Sequence, residues 1–461
     1  MTARVDSEIE QSHARPVGRA IAVLLSSCVA MFAVGANGTA IMAALPTMRS
    51  ELGLGPAGVH WTINAYLVVS GACIVMGGVA SDRFGARRIA MAGLALFALA
   101  SALIAIAGSA PMLLAARALQ GVAAALAVPS TLADIRGSAP SERQGSAIGA
   151  WTGLLMLGFS VGPLVGGALT HLASWRAIFW FNAGLMAIAI AGLAMGGPWM
   201  KPPTGSPRRP VDAPGFVLLA TFMVSLVIAL QALPQAGWRS LAVLAPMLIA
   251  IVALGALLRF ESHAEAPLFN VRLFARLAFA TGAAIGSLAM LSIMGLLLYY
   301  NLYSQSAEGL GLSPLAAGAS LIPLCVTLLV FALTASRIAA RLGPRTTIGA
   351  GMLLIAIGSA TLWASIDSGE AMLRRLGFFL LGAGLALPYA TAPRLALSAL
   401  EPTEVGQGSG MINACTFLGG SIGVAAGAIA FAAGGFAGAL VMIGLAGVAG
   451  IVASRWIPDF A

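Results

Sequence analysis

The chain has 461 residues, 59% of them hydrophobic and only 9% charged, with a formal net charge of +9. A water-soluble domain carries about 25% charged residues to cover its surface, so this composition excludes a soluble enzyme or binding module and requires a lipid environment. The basic excess needs no nucleic acid, because anionic lipid head groups attract the loops that carry it.

Charge-free runs mark the membrane segments. No Asp, Glu, Lys or Arg lies between Arg19 and Arg49, between Arg88 and Arg117, or between Arg143 and Arg176. Each run reaches the roughly 20 apolar residues that cross a hydrocarbon core, and without strict alternation such spans are helices rather than barrel strands. Fourteen spans follow in order: 20–42, 59–80, 89–108, 111–134, 145–170, 176–197, 214–234, 240–259, 277–300, 314–336, 346–366, 376–398, 406–430 and 436–455. The first is too long for a cleaved signal segment and reads as a retained span. The last uncharged run, Val405 to Ser454, would make one helix of about 75 Å. Gly434-Gly435 is the expected break within it.

Basic residues orient the spans. Of the 25 Lys and Arg, five (Arg49, Arg176, Arg239, Arg374 and Arg375) fall outside when both termini are placed in the cytoplasm, Arg117 lies within a span, and the rest face inward. That bias follows the positive-inside rule and puts both ends in the cytoplasm, and a bacterial cytoplasmic membrane is the expected location. Cys28, Cys73, Cys325 and Cys415 fall far apart within spans and read as packing residues, so no metal site is expected. His13, His60, His171 and His263 lie in a tail, a loop or span ends.

The chain repeats itself. A shift of 258 residues carries Arg83, Gly85 and Arg87 onto Arg341, Gly343 and Arg345, and Gly162 onto Gly420. Six helices are therefore duplicated: an N-terminal six-helix bundle in residues 1–200 and a C-terminal one in 277–461. Between them, 201–276 supplies a cytoplasmic linker, Lys201 to Pro210, and two inserted helices. Repeated halves around a central site are a common construction of secondary transporters.

Three motifs carry mechanism. The loop after the second span reads Gly78-Val-Ala-Ser-Asp82-Arg83-Phe-Gly85-Ala-Arg87-Arg88. Its glycines permit a tight turn and Asp82 can bond a neighbouring helix end, which predicts a conformational latch. The fourth span holds Arg117, Gln120 and Gly121, then Pro129, with Asp134 at its inner end. A guanidinium that deep must face a cavity or a partner. The fifth span carries Gly158, Gly162 and Gly166 on one ridge with Pro163 and Gly167 beside it, answered by Gly419, Gly423 and Gly427 in the thirteenth. A ridge of this kind lets helices approach closely, and proline lets them bend, so a rocking interface is expected.

These residues resemble motifs A, B and C of the major facilitator superfamily, and with Ser174 to Asn182 and Gly408 to Asn413 the chain is similar to its fourteen-helix drug:proton antiporters. The resemblance implies an all-α membrane fold of two pseudo-symmetric six-helix bundles plus two inserted helices. It also implies alternating access, export of small amphipathic molecules by a monomer, no cofactor beyond the proton gradient, and no catalytic residue. In that family the first helix usually carries an acid where this chain has Asn37, and Asn where it has Met42. Asparagine cannot ionise, so neutral, anionic or zwitterionic substrates gain weight over cations, and an uncoupled facilitator or lipid flippase is the alternative. Asn37, Asn64, Arg117, Gln120, Trp151, Tyr299, Tyr300, Asn301, Tyr389 and Asn413 are the candidates to line the pathway, with Arg117 giving it a positive field. Tyr299 and Tyr300, with Tyr303, read equally well as part of an outer aromatic belt.

Overall fold

The computed structural model describes residues 17–196, 212–264, 267, 269–401 and 404–457; the Lys201–Pro210 linker and His13 lie outside them. The described secondary structure is helical throughout. In chain order it comprises α1 (Val17–Leu52), α2 (Pro56–Phe84), α3 (Ala86–Ala105), α4 (Ala110–Ser138), α5 (Ser141–Leu172) and α6 (Arg176–Met195). The inserted pair, α7 (Ala213–Ala236) and α8 (Leu241–His263), is followed by a 3₁₀ turn, Val271–Ala275. The second half is α9 (Leu277–Gln305), α10 (Pro314–Ser320), α11 (Ile322–Leu342), α12 (Pro344–Ser368), α13 (Ala371–Ser398) and α14 (Val405–Ser454).

Among the described residues thirteen helices are long and apolar enough to cross a membrane. The 50-residue α14 crosses twice, because Gly434 (φ −150°, ψ 24°) and Gly435 (φ 60°, ψ −148°) fold it back on itself at the expected place. The expected span 314–336 is instead divided at Leu321, where Pro323 supplies no N–H and crowds the preceding turn. Other helices outrun their expected limits, most of all α1, which continues past Pro46 to Leu52. Hydropathy marks where lipid ends, whereas helical hydrogen bonding continues into the interface.

The repeat is reproduced at backbone level. Gly85 (φ 97°, ψ 129°) and Gly343 (φ 81°, ψ 153°) both turn the chain between two helices. The Gly85 N–H bonds Ser81 O at 3.0 Å and the Gly343 N–H bonds Ala339 O at 3.0 Å. Helix pairing repeats as well: α1 packs on α5 as α9 packs on α14, and α4 sits between α2 and α3 as α13 sits between α11 and α12. Leucine at Gly85 is expected to leave the protein folded but slow transport severalfold, since a Cβ at this φ costs about 1–3 kcal/mol. Wild-type transport by purified Gly85→Leu would show that the turn is only a topological signal.

The halves meet along two seams. On one side α2 lies against α14, with Asn64 Nδ2 donating to Ser421 O at 3.4 Å. The inserted α7 docks on this seam and touches both helices. A Cβ at Gly71 of α2 would lie 2.6 Å from Met223 Cε of α7 and 3.0 Å from Phe417 Cβ of α14, so three helices converge there. On the other side α5 faces α10 and α11. Near the end of the bundle that carries Gly53 and Gly311, Gly167 abuts Pro314, and Gly318 abuts Pro163. Gln305 Nε2 also donates to Ala43 O at 2.9 Å. Toward the opposite end, which carries Gly85 and Gly343, Gly145 and Gly149 of α5 face open space. This side of the seam is closed at the Gly53 end and loose at the Gly85 end.

Candidate functional site

A narrow cavity of about 20 Å³ lies in the loose seam, between α5 of one half and α9, α11 and α13 of the other. Met156, Phe159, Ile293, Leu297, Leu324, Leu328 and Leu385 supply its apolar wall, with Ala332 and Ala386 at small gaps. Phe159 and Tyr389 face each other across the two halves, ring centroids 6.4 Å apart at 58°. Ser160 also lines the space, and its hydroxyl is buried without a hydrogen-bond partner. No acidic or basic side chain contributes to the wall.

Arg117 lies elsewhere. It is fully buried inside the first bundle, where Nε donates to Thr62 O at 2.8 Å and Nη1 to Gln120 Oε1 at 2.5 Å. Its guanidinium carbon sits 4.7 Å from the centre of the Tyr66 ring, a cation–π contact strengthened by exclusion of water. Gln120 Nε2 donates to Ser101 Oγ at 2.9 Å, and Asn37 Nδ2 reaches Gln120 Oε1 at 3.4 Å. Asn182 Nδ2 then donates to Asn37 Oδ1 at 3.0 Å. Five helices, α1, α2, α3, α4 and α6, are thereby tied by one uncharged-acceptor network around a single cation. Arg117 Nη2 is the one guanidinium nitrogen in it with no partner. The expected positive cavity is therefore corrected: Asn37, Arg117 and Gln120 bind one another within one bundle, and the wall between bundles is neutral.

The loop after α2 has its strongest anchor one helix further on. Arg87 Nε and Nη2 hold Asp134 Oδ2 and Oδ1 at 3.0 and 3.2 Å, and both side chains are buried. Nη1 donates to Gly196 O at 2.9 Å and Nη2 to Ser138 Oγ at 3.3 Å. The start of α3 is thus bound to the ends of α4 and α6. Gly78 has open space, while Asp82, Arg83 and Arg88 are exposed or partly exposed. In the second half the tie is made differently. Arg276 Nη1 and Nη2 bond Glu404 at 2.6 and 3.1 Å, and Nη1 also bonds Ala399 O at 2.8 Å, joining the starts of α9 and α14 to the end of α13. The Arg276 guanidinium and the Glu401 N–H hold the Glu404 carboxyl below the usual carboxylate range.

The glycine ridge faces inward rather than across the halves. Gly158, Gly162 and Gly166 press on the Phe32–Ala36–Ala40 stripe of α1, and Gly419, Gly423 and Gly427 press on Ser287, Leu291 and Tyr299 of α9. The seam itself is touched by their neighbours Pro163 and Gly167. The expected rocking surface therefore belongs to the latter pair, and the ridges hold each bundle rigid.

The remaining candidates scatter. Tyr299 and Tyr300 are almost wholly buried, which places them inside the protein and not in an aromatic belt; Tyr299 Oη donates to Val424 O and Tyr300 Oη pairs with Ser320 Oγ, each at 2.5 Å. Asn301 bonds Leu297 O at 2.8 Å and Asn413 bonds Ser409 O at 2.9 Å, both within their own helices. Trp151 Nε1 donates to Thr131 Oγ1 at 3.2 Å. Of the ten pathway candidates the cavity takes Tyr389, and Asn64 spans the other seam. Sequence reasoning passed over Phe159 and Ser160, which lie inside the quoted fifth-span motif, and Asn182, which ends the quoted Ser174 motif. The same motif supplies Trp175 and Arg176, which both bond Glu51 and so clamp α6 to α1 at the Gly53 end.

The comparisons agree with this architecture. A solved structure described as an auto-inhibited POT family peptide transporter superposes with a TM-score of 0.69 at 15% identity, covering 96% of this chain and 97% of the other. The tetracenomycin C resistance and export protein of Streptomyces glaucescens is 32% identical over 88% of this chain and 75% of its own length. The cephamycin export protein CmcT of Amycolatopsis lactamdurans is 31% identical over 88% of this chain and 84% of its own. The multidrug resistance protein Stp of Mycobacterium tuberculosis is 25% identical over 87% and 74%. The sequence profile of the Major Facilitator Superfamily matches residues 27–424. Two pseudo-symmetric bundles, a cavity between them and a profile match across most of the chain give one conclusion: the protein is a multi-pass membrane transporter, not an enzyme, and it belongs to the Major Facilitator Superfamily.

Proposed function

We propose that this transporter exports uncharged aromatic amphipathic molecules across a bacterial cytoplasmic membrane by alternating access, as a monomer, in exchange for protons. The observation that carries the reading is the neutral cavity between the halves, whose wall pairs Phe159 with Tyr389 and offers the unpartnered Ser160 hydroxyl. An apolar wall with one aromatic clamp and one orienting hydroxyl suits a flat ring system and gives a cation no counter-charge. The relatives named for export of tetracenomycin C and cephamycin support export as the direction. With both termini cytoplasmic, the loose Gly85 end faces the cytoplasm and takes substrate from inside. Residues 1–200 and 277–461 would move as the two bodies, with 201–276 as the insert. Among the described residues the buried carboxylates are Asp134 and Glu261, and neither lines the cavity.

Everted vesicles carrying the purified chain are expected to accumulate an uncharged aromatic antibiotic when a pH gradient is imposed. Phe159→Ala should raise KM about tenfold with little change in kcat, corresponding to loss of about 1.4 kcal/mol of ring contact. Cells expressing the protein should gain no more than about twofold resistance to quaternary ammonium compounds, since such a cation would be desolvated without a partner. Robust gradient-driven export of a permanent cation would overturn the neutral-substrate reading. The absence of a carboxylate from the cavity wall favours one alternative, an uncoupled facilitator or flippase of a neutral or anionic lipid or metabolite. Uptake that ignores the pH gradient would select it.

A further inference from the structure

A second space, of about 250 Å³, lies outside the transport pathway between α7, α8 and α14. Phe222, Leu257, Phe269, Phe274, Cys415 and Leu418 line it, and its other lining residues are equally apolar. Water finds no hydrogen-bond partners on such a wall, and an empty void would forfeit dispersion contacts on every side. Its place in the fold supplies the occupant. The space sits where the last turns of α8 meet the 3₁₀ turn Val271–Ala275, at the membrane edge on the Gly85 end.

Two exposed cations flank that edge. Arg259 follows the lining residue Leu258, and Arg272 lies between the lining residues Val271 and Phe274. Arg272 is fixed in position: its backbone N–H bonds Asn270 Oδ1 at 3.2 Å and Nη2 bonds Ser262 O at 3.0 Å. Neither arginine enters a salt bridge among the described residues. The nearest buried acid on the same helix, Glu261, turns to Gly215 and Asp212 at the start of α7.

We propose that this crevice binds an acyl chain of an anionic phospholipid whose phosphate head group is held by Arg259 and Arg272. The occupant seals α7 against α14 and is held at a fixed place instead of exchanging with bulk lipid. The site is independent of the transport cavity and of its substrate.

The test uses the purified full chain with equimolar dioleoyl phosphatidylglycerol and phosphatidylcholine, read as retained adducts in native mass spectrometry. Each cation near a head group contributes about fivefold, so phosphatidylglycerol should be retained about 25-fold over phosphatidylcholine. Arg259→Gln with Arg272→Gln should erase that preference, while the pair of Lys substitutions keeps it. Leu257→Trp, which narrows the crevice, should weaken both adducts. If Leu257→Trp fails to fold, alkylation of Cys415 by a lipid-soluble maleimide in a Cys73→Ser background gives the same answer, slowed by phosphatidylglycerol far more than by phosphatidylcholine. Equal retention of the two lipids by the wild type overturns the proposal. So does a preference that survives the double Gln change, or a Cys415 rate indifferent to lipid.

Discussion

Asp134→Ala is expected to unfold at a clearly lower temperature than the wild type and to transport at less than about a tenth of its rate. The change leaves the Arg87 guanidinium buried without its carboxylate, with Gly196 O and Ser138 Oγ among its other partners. Removing one member of a buried pair costs about 3–5 kcal/mol, mostly for the charge left behind. Arg87→Ala in the same chain removes that charge, so the double variant should recover most of the lost thermal stability. It should not recover transport, because the start of α3 would no longer be bound to the ends of α4 and α6. Thermal unfolding of the three purified variants in one detergent measures this. Equal unfolding temperatures for the single and double variants would show that the pair does not hold the bundle.

Gly166→Val should abolish correctly folded protein, whereas Gly149→Val should fold as the wild type does. A Cβ at Gly166 would overlap the backbone of Ala40, and backbone cannot swing aside as a side chain can. The whole of α1 would have to retreat from α5, and overpacking of a tight interface typically costs about 1–3 kcal/mol or more. Gly149, on the same helix, has nothing near its missing Cβ. Size-exclusion profiles and transport for the two variants separate close packing from any general dislike of valine in α5. A well-folded, active Gly166→Val would mean that α1 and α5 do not pack as described.

The architecture was readable because its signals are one-dimensional. Charge-free runs measured the spans, the Arg-x-Gly-x-Arg loop recurred at one offset, and the Gly434-Gly435 pair marked the turn in an otherwise unbroken apolar run. The pathway was less legible, for a physical reason. A soluble helix declares its buried face by polarity, but a membrane helix is apolar toward lipid and protein alike, so the direction of a side chain is hidden. Asn37 and Gln120 are polar, which made them candidates, yet their polarity serves α3 and α6. The wall of the cavity is Met156, Leu324, Leu385 and their like, which the sequence could not distinguish from lipid-facing residues. Ser160 was within the quoted motif and gave no signal beyond its neighbours.

The inserted α7 changes the mechanics of the machine. Because it is docked on both α2 and α14, it joins the two halves along one edge as a spine joins the covers of a book. In the proposed alternating access, halves strapped by an extra helix along one edge would rock unequally about a central pivot. Their relative rotation has its axis near the spine, and displacement grows with distance from it. The greatest travel falls on the far edge, where α5 meets α10 and α11 and where the cavity lies. A small angular change at the strapped seam is thus geared into a large change of aperture at the other.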